Sequence, residues 1–293
     1  MPGFHPKPGF LFSFCNISIV QANFTLHNME LKYKSSIIHV HCFGKGSSVL
    51  IAFHGFSENG KSFEVLTPSL GKKYCMYAFD LPYHGETKWN ETAHFTPADL
   101  ISIVKQFLSE HSIERFSVLG FSMGGKCALY IIKSMPEKID ELFLLASDGI
   151  QTNKIYNVAV YPKWGRELFK TTIRHPRWFF FFIKTLNKLR LLSPWLLKFT
   201  YNHMDTKQKR RRLYDTWISM AEFNPEINEV KEKINRFHIP VFLFFGKKDE
   251  VIKPEVGTSF CAGLSQCKLT LLDRGHYFID DKLNPFMAEA IQP

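Results

Sequence analysis

No uninterrupted apolar run in the chain exceeds six residues, as at 178–183, so no segment can cross a bilayer as a helix. Cysteine is scarce, with six in 293 residues and no C-x-x-C spacing. That excludes a disulfide-built scaffold and the common zinc and redox motifs. Cys42, Cys75 and Cys127 lie in apolar runs and read as reduced core residues. Cys261 and Cys267 are close in sequence, and a helix-to-strand separation accounts for them without a bond. Internal repeats are missing. Acidic residues almost vanish from 150–212, where fifteen Lys and Arg meet only Glu167 and Asp205. That window carries +13 against a formal total of +10, leaving −3 for the rest of the chain.

What remains is ordinary globular composition, 45% hydrophobic and 22% charged, which rules out a disordered or fibrous chain. Short apolar segments at 30–34, 37–43, 49–53, 74–79, 116–120, 141–146, 241–245 and 269–272 read as strands. The first two form a hairpin across Ser35-Ser36. Helix-length segments at 62–70, 98–110, 124–134 and 255–263 alternate with the later strands. This predicts an α/β fold, a mostly parallel sheet with helices on both faces. The alternation stops between Asp148 and Ile239, where the pattern is aromatic, basic and helical, with prolines as punctuation. The expected division is a core of 29–148 and 236–293 and a helical cap, or lid, over 149–235. Residues 1–28 form an extension. Its stretch 9–20 and Val20-Gln21-Ala22 loosely resemble a signal peptide, but the start is Pro-rich, with Lys7 its one fixed side-chain charge. The expected location is cytoplasmic, with a peripheral place at a membrane as the alternative and secretion left open.

Gly120-Phe121-Ser122-Met123-Gly124 follows a strand and opens a helix. A turn that tight needs small residues beside the serine, and it pushes the Ser122 hydroxyl clear of the sheet. A serine hydroxyl needs a base, and the base needs a carboxylate to fix its tautomer. Asp249 and His276 each follow a later strand, in the order Ser, Asp, His. Asp148, after the strand at 141–146, is the competing acid. His54-Gly55-Phe56 ends the strand at 49–53. There Gly55 lets the backbone approach substrate, and the Phe56 and Met123 amides are candidate oxyanion donors. His54 reads as a structural hydrogen-bonding residue and Asp80 as a brace for its own loop.

His54-Gly55-Phe56, Asp80-Leu81-Pro82-Tyr83-His84-Gly85, Gly120 to Gly125, the Asp249 turn and Gly275-His276 together resemble the α/β-hydrolase superfamily. The likeness runs from about residue 29 to the C-terminus and is specific at superfamily level, the cap being its least diagnostic part. It implies an eight-stranded sheet, a Ser122-Asp249-His276 triad and hydrolysis of a carboxylic ester or related bond. Tyr83 stands where many members carry glycine. Serine at 122 argues against the dehalogenase and epoxide-hydrolase branches, which attack with a carboxylate. The expected function is a serine esterase or lipase-like enzyme for a small-molecule ester with an apolar acyl group, using no cofactor and no metal. The alternatives are an esterase for acyl groups on an acidic carrier protein, a C–C bond hydrolase or lyase, and a non-catalytic ligand-binding member. The basic cap reads either as a pocket roof whose lysines reach water or as a contact for an anionic membrane surface, an acidic carrier protein or an acidic substrate. Nothing in the chain resembles a base-reading module, which argues against nucleic acid.

Overall fold

The computed structural model describes residues 28–151, 154–192 and 194–292. The signal-like segment lies outside them. Eight strands form one sheet: β1 Met29–Tyr33, β2 Ser36–Phe43, β3 Ser48–Phe53, β4 Tyr74–Phe79, β5 Phe116–Phe121, β6 Ile139–Leu145, β7 Val241–Gly246 and β8 Cys267–Leu272. Their spatial order is β1-β2-β4-β3-β5-β6-β7-β8. β2 runs antiparallel to both neighbours, and every pairing from β4 to β8 is parallel. The hairpin turns one residue earlier than the sequence suggests. Tyr33 pairs with Ser36, and Lys34 takes the left-handed conformation at φ 52°.

The helices are α1 Thr67–Leu70, α2 Pro97–Glu110, α3 Met123–Ser134, α4 Lys154–Val160, α5 Lys163–Arg174, α6 Pro176–Lys188, α7 Pro194–Met204, α8 Lys207–Met220, α9 Ile227–Arg236, α10 Glu255–Cys261 and α11 Asn284–Ala290. A 3-10 helix, Gly60–Leu66, leads into α1 and makes up the rest of the segment expected at 62–70. Alternate residues of a strand face opposite sides of a sheet. Along β3, Ile51 and Phe53 pack with Val104 of α2 and Ile131 of α3, while Leu50 and Ala52 pack with Leu70 of α1 and Met287 of α11. Both faces are therefore covered, as near-continuous apolar strands require.

Helices α4 to α9 all lie between β6 and β7. α9 packs back on the sheet side, with Val230 and Ile234 in the main core. α4, α5, α7 and α8 bury smaller clusters of their own, Val160 with Ile218 and Phe169 with Met204 and Leu213.

Cys42, Cys75 and Cys127 are free thiols. Cys261 and Cys267, by contrast, form a disulfide, which corrects the reading of that pair as spacing alone. Gly263, at φ 81°, turns the chain between α10 and β8 and leaves the two Cα atoms 5.5 Å apart, within the reach of a disulfide.

Candidate active site

Parallel register brings the strand ends to one edge. Phe53 aligns with Phe79 and Gly120, Phe121 with Leu145, and Gly246 with Leu272. The loops that leave this edge carry His54, Asp80, Ser122, Asp148, Asp249 and His276.

Ser122 joins β5 to α3 at φ 49°, ψ −118°. A non-glycine residue held there carries strain of about 1–3 kcal/mol, supported by what surrounds it. The Ser122 amide donates to Leu145 O at 2.9 Å, and Ser122 O accepts from Gly125 and Asp148 amides. The flanking glycines are steric necessities. A Cβ on Gly124 would lie 2.0 Å from Phe53 O, and one on Gly120 would lie 2.6 Å from Gly124 O.

Ser122 Oγ lies 2.9 Å from His276 Nε2, and His276 Nδ1 lies 2.7 Å from Asp249 Oδ2. The other oxygen, Asp249 Oδ1, accepts from the Val251 and Ile252 amides at 2.7 and 2.9 Å. Asp249 and His276 are buried. Their loops are tied by the Lys248 amide, which donates to Arg274 O at 2.9 Å. An unbroken hydrogen-bonded chain thus leads from a buried carboxylate through an imidazole to a hydroxyl.

The competing acid, Asp148, borders the same cavity as Ser122 but is engaged by different partners. Asp148 Oδ2 sits 3.6 Å from the buried Lys126 Nζ, and its Oδ1 accepts from the Gly149 amide. Lys126 also donates to Met220 O at 3.3 Å and lies 4.4 Å from the centre of the Tyr156 ring. It was not singled out from the sequence, although a lysine in the otherwise apolar Met123–Ile132 stretch was the visible signal.

His54 is fully buried. The Leu81 amide donates to its Nε2 at 2.9 Å, so its proton sits on Nδ1, 2.7 Å from Gly55 O. Burial pulls its pKa down to about 4, so it is neutral and structural. A Cβ on Gly55 would meet the Phe121 ring at 2.9 Å and Ser122 Cβ at 3.4 Å, so a larger residue would crowd the serine's strand. Asp80 braces its loop by accepting from the Gly60 and Glu86 amides at 2.7 and 2.8 Å. Tyr83 adopts the left-handed backbone that glycine favours, at φ 69°, and its hydroxyl meets Ser219 of α8.

A cavity of about 260 Å³ opens over Ser122 and Met123. Phe56 lines it too, with Tyr156, Leu196, Phe199, Trp217 and Met220 from the helical insertion and Val251, Ile252 and Val256 from behind β7. A second cavity, about 220 Å³, lies on the far side of Phe199 and is walled by His276, Tyr277, Lys198 and Lys248.

A strand-elbow serine bonded to a histidine at the carboxyl edge of a parallel sheet defines the α/β class of hydrolase. The alpha/beta hydrolase fold pattern matches residues 48–283, and the chain belongs to that family. It is a hydrolase. It is 24% identical over 265 residues to an uncharacterized hydrolase, YugF, of Bacillus subtilis, covering 87% of this chain and 93% of that one. It is 24% identical over 228 residues to a pimeloyl-[acyl-carrier protein] methyl ester esterase of Nitrosomonas europaea, covering 74% and 82%. An alpha/beta hydrolase from a Medee basin deep-sea metagenome library has the same fold, with a TM-score of 0.65 at 15% identity over 90% of this chain and 96% of that one.

Proposed function

We propose that the protein is a serine hydrolase that cleaves carboxylic esters with an apolar acyl group. The observation that carries this reading is the Ser122–His276–Asp249 hydrogen-bonded chain, whose Ser122 end lines a cavity that is mostly apolar but also bordered by Asp148, Gln151 and Lys253. Ser122 Oγ attacks the ester carbonyl while His276 Nε2 accepts its proton. Asp249, fixed by two backbone amides, holds the proton on His276 Nδ1 and stabilises the imidazolium. The Phe56 and Met123 amides receive the developing oxyanion. His276 then protonates the leaving alcohol, and water, activated by the same imidazole, releases the acid from the acyl-enzyme. Each step uses groups of the chain and water.

The acyl chain occupies the cavity beneath the lid formed by α4, α5, α6, α7 and α8. The alcohol leaves on the His276 side, toward the second cavity. The same chemistry serves an ester presented by a carrier protein, the substrate for which the Nitrosomonas europaea relative is named.

A series of p-nitrophenyl esters of increasing acyl length tests the reading. Each added methylene buried in the cavity raises kcat/KM by up to about fourfold, until the cavity is full. A profile that is flat, or falls from acetate onward, contradicts an apolar acyl site.

A further inference from the structure

We infer that the outer face of the lid docks on an anionic lipid bilayer, and that the ester delivered to Ser122 is borne by a lipid. The lipid half rests on the reading of Ser122 given above, while the docking half stands on the lid surface alone.

The argument starts with α6, which is apolar on two sides. Inward, Ile183 is buried, and Phe179 and Phe180 pack on the cluster of Phe169, Met204 and Leu213. Outward, Trp178, Phe181 and Phe182 are 42%, 74% and 51% exposed. Their i, i+3, i+4 spacing sets them in one stripe. A helix apolar on opposite faces needs apolar surroundings on both, and the protein supplies them on one. α5 carries a second exposed apolar pair, Trp164 and Leu168, 63% and 50% exposed and four residues apart. Of fourteen exposed large apolar side chains among the described residues, ten lie between Val158 and Tyr201. Exposure is therefore concentrated on the lid rather than scattered, as on an ordinary surface.

Charge selects the occupant. Lys163, Arg166, Arg177, Lys184 and Lys188 are exposed on the same two helices, whose one acidic residue is Glu167. Aromatic side chains with interleaved cations suit a helix lying in the interface of an anionic membrane, where rings enter the acyl boundary and cations meet headgroups. An acidic protein partner is the competing occupant, and the vesicle and carrier-protein arms below separate the two. No helix among the described residues is long and apolar enough to cross a membrane, so the contact is peripheral. Lys198 of α7 walls the cavity beside His276, together with Lys248, which pairs with Asp273 at 2.8 Å, and Glu250 from the loop after β7.

The test is flotation of the full chain with phosphatidylcholine vesicles, with and without phosphatidylglycerol, alongside hydrolysis of a soluble butyrate ester. The wild type floats with the anionic vesicles and is released at 1 M salt, where the Debye length is about 3 Å. Trp178→Ser/Phe181→Ser/Phe182→Ser loses more than about tenfold in partitioning. Lys184→Gln/Lys188→Gln loses about fivefold for each charge removed. Soluble-ester hydrolysis is unchanged in both variants. A wild type that ignores anionic vesicles overturns the proposal, as does undiminished binding without the three aromatics. Binding to an acidic acyl-carrier protein that follows the lysines alone also overturns it, in favour of a protein partner. A wild type that binds vesicles but releases no fatty acid from the vesicle lipid supports the docking surface and overturns the lipid-ester half, and if it also leaves the soluble ester intact the reading of Ser122 falls with it.

Discussion

Glu58 is the residue whose position near the site carries the clearest consequence for pH. It lies in the loop after β3, and its Oε2 is buried with no hydrogen-bond partner among the described residues. Burial pushes its pKa from 4.5 up to about 7, opposed by the neighbouring His276 and by the backbone at Gly55. A carboxyl raised on folding binds its proton more tightly in the native state. Its contribution is therefore full below pH 4.5 and is lost as pH rises through about 7. The wild-type Tm should fall by roughly 5 °C across that interval relative to Glu58→Gln, in which the group cannot ionise. Thermal melts of the two proteins from pH 4 to 8 check this, and parallel curves would contradict it. At this scale the sequence was legible where chemistry and backbone coincide. Small residues beside Ser122 and the Gly-x-x-Asp turn at Asp249 are local patterns. Glu58 and Lys126 were not legible, because their environments are made by Tyr277, Tyr156 and Met220, which only the tertiary fold brings near.

Among the elements, the basic stretch that opens α8 divides into structural and solvent-facing cations. Arg210 donates from Nε to Ile173 O at 3.2 Å and from Nη1 to Met204 O at 2.9 Å, so it caps the C-terminal ends of α5 and α7. Such ends expose carbonyls that need donors. Arg211 is well exposed and, among the described residues, pairs with Asp215, one turn along its own helix. Arg210→Ala should therefore destabilise the protein by about 1–3 kcal/mol, and Arg211→Ala by less than about 0.5 kcal/mol. Denaturant titration separates the two, and equal losses would remove Arg210 from its capping role. The strands and long helices were readable from periodicity, since burial on both faces of a parallel sheet leaves near-continuous apolar runs. The arrangement of α4 to α9 was not. These helices are short, and which one returns to the core depends on partners far along the chain. α9 does so through Val230 and Ile234, a face that looks no different in sequence from those of the other helices between β6 and β7.

Across the whole molecule, the account depends on segments 154 and 27 residues apart meeting at one sheet edge, Ser122 with His276 and His276 with Asp249. Strand order makes that meeting possible, because β5, β6, β7 and β8 are consecutive neighbours and each hands its loop to the same edge. The general plan was thus readable from the order of Ser, Asp and His along the chain. The preference for Asp249 over Asp148 was readable from the Gly-x-x-Asp turn and the strand before it, whereas the buried Lys126 beside Asp148 was not. Fluorophosphonate labelling, with the modified residue mapped by mass spectrometry and the rate followed in variants, tests the central claim most directly. The account predicts a single adduct on Ser122, abolished in Ser122→Ala, slowed by about 10⁴ in Asp249→Asn and nearly unchanged in Asp148→Asn. An adduct on another serine, or a slower reaction in Asp148→Asn than in Asp249→Asn, would contradict it.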